Sequence, residues 1–95
     1  MAYKLILKSR AENDLSEAIG YYQTQQRGLG IKFLQCVQKS LGRITKNPLH
    51  FPLKTNQFRE IYIQKFPYVI IYEIVDKEVV VFSVFNTHQN PERKP

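Results

Sequence analysis

The residues of this chain best suited to chemistry are one histidine, five cations and two tyrosines. His88 follows the last apolar run of the sequence. An imidazole ordinarily titrates near pH ~6.5, so at that position it suits acid–base work on an open sheet face; the plain alternative is a solvated histidine in a polar tail. Lys54, Arg59, Lys65, Arg93 and Lys94 would together make a phosphate-binding patch, or else stand as separate surface charges. Tyr62 and Tyr72 have the same parity in their segments and would offer stacking surfaces, or else belong to a half-buried core. His50 and His88 are the only histidines and Cys36 the only cysteine, a poor donor set for zinc, so no metal site is expected. Cys36 sits beside an apolar helical stripe with no histidine or carboxylate near it in sequence, and reads as a small packing residue rather than a nucleophile. No Walker loop, dinucleotide fingerprint or nucleophile elbow is present, and no cofactor is implied.

These residues must be positioned by a single domain, 1–95. A chain of this length supports one modest core. Lys and Arg number 14 against 8 Asp and Glu, giving a net charge of +6. Such an excess says nothing of fold but points to nucleic acid, ribosomal RNA or an acidic protein as partner, against a merely soluble basic protein. The lone thiol cannot form an internal disulfide. The apolar run at the N-terminus is too short for a signal peptide, and no stretch approaches the ~20 apolar residues of a membrane span. The expectation is a cytoplasmic protein with no membrane partner.

Tyr3–Leu7 reads as a first strand. Ser9 and Glu12 have capping-box spacing, and behind them Ala11, Leu15, Ala18, Ile19 and Tyr22 form one helical stripe. Gly28 and Gly30 supply a tight turn. A second helix spans Leu29 to Lys46 on Phe33, Val37, Leu41 and Ile44, carries Lys39, Arg43 and Lys46 in its C-terminal half, and is closed by Pro48. Asn47–Gln57 reads as an irregular loop. From Phe58 the pattern alternates, giving strands over Phe58–Lys65, Tyr68–Val75 and Val79–Phe85, with breaks at Lys65-Phe66-Pro67 and Asp76-Lys77-Glu78, and a polar tail from Asn86. The order is strand, two helices, three-strand meander. This is an α+β chain with a helical hairpin packed on one face of a largely antiparallel four-stranded sheet. The first strand is expected beside the Phe58–Lys65 strand and antiparallel to it.

Three features, in this order and spacing, resemble the RelE/ParE superfamily of toxins from bacterial toxin–antitoxin pairs, also called plasmid-stabilisation proteins. They are Tyr3-Lys4-Leu5-Ile6-Leu7-Lys8-Ser9-Arg10-Ala11 running into a helix that carries Tyr21-Tyr22; Lys65-Phe66-Pro67-Tyr68-Val69-Ile70-Ile71-Tyr72; and Val79-Val80-Val81-Phe82 followed by His88-Gln89-Asn90-Pro91-Glu92-Arg93-Lys94-Pro95. The resemblance implies a growth-inhibiting toxin neutralised by a cognate antitoxin. Two mechanisms occur in the superfamily: ParE-like members poison DNA gyrase, and RelE-like members are ribosome-dependent endoribonucleases that cut mRNA. The latter resemble one another in an Arg after the aromatic residue that opens the core strand, where this chain has Val69, and in a functional Tyr near the C-terminus, where this tail has His88 and no tyrosine. The basic residues of their preceding strand are replaced by Glu60 and Tyr62. Cleavage needs groups that activate a 2′-hydroxyl, stabilise a phosphorane and protonate the leaving oxygen, and these replacements favour the ParE-like branch. A degenerate, non-toxic binding module is the third alternative. The expected partner is an acidic antitoxin segment, docked on the hairpin's outer surface or near Phe58, Tyr62 and the Asn86–Pro95 tail, with Arg59, Lys65 and Arg93 steering its approach.

Overall fold

In a computed structural model describing residues 3–88, the chain forms β1 (Lys4–Leu7), α1 (Ser9–Gln25), α2 (Leu29–Lys46), a 3-10 turn (Pro48–His50), β2 (Leu53–Thr55), β3 (Phe58–Tyr62), β4 (Tyr68–Val75) and β5 (Glu78–Asn86). The sheet order is β1-β5-β4-β3-β2. It has five strands rather than four, because three residues of the loop before β3, Leu53–Thr55, fold back against Phe58 and Arg59.

β1 does not lie beside β3. It pairs parallel with β5, Lys4 opposite Glu78 and Leu7 opposite Val81. The reason is burial. Val79, Val81, Val84 and Phe85 are at most 3% exposed, and a strand so apolar would be costly at an open edge. Capping it with the short, half-exposed β1 makes β5 interior. The remaining pairs, β2–β3, β3–β4 and β4–β5, are antiparallel.

The strand pairing also overrides the expected capping box. The Lys8 amide donates to the Val81 carbonyl at 3.0 Å, which holds Lys8 extended. Lys8 is therefore the N-cap, with no side-chain cap bond, and Ser9 is already helical. At the other end of α1, Gly28 takes φ +82°, a left-handed turn favoured by glycine. Gly30 lies inside α2 rather than in the turn. A side chain there would meet the Ile19 carbonyl oxygen at 2.7 Å, so its absence lets the two helices approach.

The hairpin buries Ala11 and Ala18 from α1 and Phe33, Val37 and Ile44 from α2 against Ile61, Tyr68, Ile70, Tyr72, Val79, Val81 and Val84 of the sheet. Each large apolar side chain so buried contributes about 1.5–3 kcal/mol. Cys36 packs half-buried against this core, as the stripe implied. Tyr22, Phe33, Phe66 and Tyr68 meet in tilted and edge-on contacts, with Phe33 and Tyr68 at 4.9 Å. The Tyr72 hydroxyl, fully buried, donates to the Pro48 carbonyl at 2.6 Å and ties the 3-10 turn to the sheet.

β5 carries a bulge. Ile71 pairs with Ser83 but Tyr72 with Val81, leaving Phe82 as the extra residue. Beside it, one Asp14 carboxylate oxygen accepts from the Ser83 hydroxyl at 2.7 Å and from the Val84 amide at 3.0 Å. This clamp joins the middle of α1 to the strand.

Candidate functional site

Two regions of the described residues present chemistry: the sheet face turned away from the helices, and a cleft between α1 and the end of β5.

Cross-strand partners share a face. Glu60 opposite Ile71 and Tyr62 opposite Val69 therefore lie on the face away from the hairpin, where Val69, Ile71 and Phe85 cluster with Phe58. Phe58 meets Phe82 edge-on at 4.9 Å, and the Lys8 ammonium sits 5.7 Å from the Phe82 ring at the β1 side. Across β3 and β4 this face is apolar or acidic. Among the described residues it carries no cation there. Val69, where an arginine would stand in a nuclease, is fully buried.

Among the described residues, Lys54, Arg59 and Lys65 of the sequence-derived patch do not come together. Arg59 lies opposite Tyr72, on the helix side, and its guanidinium donates to the Phe51 carbonyl at 2.6 Å and, longer, to the Leu49 carbonyl at 3.4 Å. It ties down the loop before β2 rather than reaching for phosphate. Lys54 is exposed on β2, and Lys65 lies past the far end of β3, in a turn where its φ is +71°. Arg93 and Lys94 fall outside the described residues. Tyr62 and Tyr72 are on opposite faces, the first 61% exposed and the second wholly buried. Equal parity in residue number carries no meaning across two strands whose register is set by the intervening turn, so the two rings form no common stacking platform.

His88 does not stand on the open sheet face. It lines a cleft of about 400 Å³ with Arg10, Asp14, Tyr21, Tyr68 and Asn86. Its amide donates to the Asn86 side-chain oxygen at 2.8 Å, and the Thr87 amide donates to the Pro67 carbonyl at 2.8 Å, which fixes the turn after β5. The Tyr22 phenol is pushed up by burial first and then by its tyrosine neighbours Tyr68 and Tyr21. The Tyr68 phenol is also raised, by burial, against an opposing hydrogen bond with Asn86. Neither is a phenolate near neutrality, so both act there as hydroxyl donors and acceptors, not as bases. The sequence reading missed this cleft. Its signal was present on α1, where Arg10, Asp14, Glu17 and Tyr21 recur at helical spacing in a stripe flanking the apolar one. No three metal-ligating side chains gather among the described residues, and no helix among them is long and apolar enough to cross a membrane.

Comparison with known proteins bears on what this architecture is. The chain is similar to a chain of the chromosomal ParDE TA system from P. aeruginosa, with TM-score 0.78, 14% identity, and coverage of 92% of this chain and 98% of that one. It is also similar to a chain of the intact E. coli RelBE toxin–antitoxin complex, with TM-score 0.66, 19% identity, and coverage of 93% and 100%. A chain of the RelBE2 complex of Mycobacterium tuberculosis follows, with TM-score 0.61, 18% identity, and coverage of 90% and 99%. At these identities the likeness is one of fold. No curated protein sequence matches significantly. A family model, that of the ParE toxin of type II toxin–antitoxin system, parDE, matches residues 5–91, nearly the whole chain. The chain belongs to the ParE toxin family of type II toxin–antitoxin systems.

Proposed function

We propose that this chain is the growth-inhibiting toxin of a type II pair, held inactive by a cognate antitoxin, and that it poisons DNA gyrase rather than cutting mRNA. The observation that carries the choice of mechanism is the β3–β4 sheet face. A nuclease working there needs cations to neutralise a phosphorane and a group to move protons. Among the described residues this face carries Glu60, Tyr62, Val69 and Ile71, all buried but Tyr62, and Arg59 is turned to the other side and engaged with backbone carbonyls. The antitoxin partner is supported by the similar ParDE and RelBE systems. The place of action is then the cytoplasm, and maintenance of the encoding replicon, as in plasmid stabilisation, is the accompanying role.

The test has two stages. Induction in bacteria lacking the antitoxin should arrest growth; normal growth with abundant folded protein would leave only the degenerate binding module. Purified chain should then inhibit DNA gyrase in a supercoiling assay while mRNA in arrested cells stays intact. Codon-phased cuts by primer extension, lost in His88→Ala, would transfer the activity to the α1 cleft and to the RelE-like branch.

A further inference from the structure

Four polar side chains of α1 line the cleft beside β5: Arg10, Asp14, Glu17 and Tyr21. Their spacings of 4, 3 and 4 stack them in one file along the helix. At 1.5 Å per residue the file is about 16 Å long. Its order is cation, carboxylate, carboxylate, aromatic ring. The file runs in step with β5. Lys8, just before the helix, bonds to Val81, and Asp14 bonds to Ser83 and Val84. The Tyr22 ring then lies 6.1 Å from Tyr68, whose strand partner is Asn86. Asn86 therefore stands at the aromatic end of the file, with His88 just beyond it in the chain. Both clamp bonds fall on Oδ2 of Asp14, which leaves Oδ1 to a ligand. The Tyr21 ring is 57% exposed although Tyr22 meets it edge-on at 5.3 Å, so much of it is open to a stacking partner.

We infer that this cleft binds a guanine ribonucleotide, free or as an unstacked unit of single-stranded RNA, with the base on Tyr21 and the phosphate at Arg10. The order of side chains along α1 is the order of the parts of a nucleotide. An exposed ring stacks a base. The Glu17 carboxylate, one turn away, accepts from the two adjacent N–H groups that guanine presents on its pairing edge; adenine has an acceptor there, which a carboxylate repels. Oδ1 of Asp14 accepts from a ribose hydroxyl, the role carboxylates take in nucleotide sites. The Arg10 guanidinium matches a phosphate. The size agrees, since about 400 Å³ falls in the range of about 300–1,000 Å³ usual for ligand sites. The cations of α2 also attract phosphate, but with no carboxylate among them they do not tell one base from another. No bond is made or broken in this step, and the inference does not depend on which target the chain poisons.

The experiment titrates the full chain with GMP, AMP, dGMP and inorganic phosphate by isothermal titration calorimetry. The GMP and AMP titrations are repeated with Tyr21→Ala, Glu17→Gln and, on the sheet face away from the hairpin, Tyr62→Ala. All three positions are exposed, which spares the fold, and circular dichroism checks each variant. The expected result is GMP bound at least about fivefold more tightly than AMP or phosphate, with dGMP weaker than GMP. Tyr21→Ala should weaken GMP at least about fivefold. Glu17→Gln should erase the preference for GMP over AMP, and Tyr62→Ala should match the unaltered chain. Short single-stranded RNAs with and without one guanosine distinguish the two sources. Tighter binding of the guanosine-containing strand than of GMP supports a unit read within RNA; equal or weaker binding supports the free nucleotide. Absence of saturable GMP binding would overturn the inference. So would binding that AMP and phosphate equal and that Tyr21→Ala leaves unchanged, since it would belong to surface cations. Neither result touches the toxin reading, which growth arrest and the supercoiling assay test separately.

Discussion

Replacing Asp14 with alanine removes one acceptor from two donors, the Ser83 hydroxyl at 2.7 Å and the Val84 amide at 3.0 Å. Ser83 is fully buried and Val84 is 2% exposed, so water reaches neither donor readily. Hydrogen bonds to a charged group contribute roughly 1.5–3 kcal/mol each, and an orphaned buried donor costs about 1–3 kcal/mol. These figures overlap, because both describe the same broken contacts. Asp14 itself is half-exposed, so its carboxylate regains some hydration in the unfolded chain. The loss expected for Asp14→Ala is about 3 kcal/mol, which at roughly 4–8 °C per kcal/mol for a domain of this size lowers Tm by about 12–24 °C. Urea unfolding at neutral pH, followed by circular dichroism, measures it. The discriminating version is a double-mutant cycle. Ser83→Ala removes one of the two donors, so in the Asp14→Ala background it should cost about 1–2 kcal/mol less than in the unaltered chain. If the two substitutions add within about 0.5 kcal/mol, the carboxylate is not acting through Ser83 and the clamp is wrongly described.

Tyr72→Phe should cost about 1–2 kcal/mol by leaving the Pro48 carbonyl without its buried donor, measured by the same unfolding assay. Burial pushes the Tyr72 phenol up to about 12 from the ordinary 10.0, against a small opposing pull from Arg59. The folded state therefore keeps the proton that the unfolded chain gives up. Stability from this group is full below pH 10 and falls as the pH rises towards 12, and the fall should be shallower in Tyr72→Phe; equal slopes would refute the assignment. Gly30→Ala forces a methyl to within 2.7 Å of the Ile19 carbonyl and should cost about 1–3 kcal/mol in thermal unfolding, whereas Gly20→Ala, with open space around it, should be neutral or stabilising. Arg59→Met should lower stability by about 1–3 kcal/mol by orphaning the Phe51 carbonyl; unchanged stability in urea would mean the guanidinium is free for another role.

Local pattern made the helices legible. The stripe Phe33, Val37, Leu41, Ile44 marks α2 between Leu29 and Lys46, the bounds observed, because an amphipathic helix advertises its buried face at a fixed period. The meander was legible for a related reason, its turns being marked by Lys65-Phe66-Pro67 and Asp76-Lys77. What failed was non-local. Nothing in Lys4–Leu7 says that its partner is Glu78–Val81, since the choice depends on how much β5 gains by losing an edge. The Arg59 guanidinium looked like a surface charge because its acceptors, the carbonyls of Leu49 and Phe51, have no sequence signature. The cleft around His88 was hidden by the same difficulty, being built from α1 and β5, which meet only in the folded molecule.

The parallel pairing of β1 with β5 bears on how the cell makes the protein. Among the described residues, the first strand pairs only with residues 78–81, far along the sequence. Contacts of such large sequence separation form late and slowly, because the whole intervening loop must be closed before they reward it. A nascent chain still short of β5 therefore has a helical hairpin with half its floor missing and a first strand with nothing to pair with. Premature termination before Glu78 should yield an inert, protease-sensitive fragment. A ribosome translating this message therefore carries no completed sheet until β5 has been made.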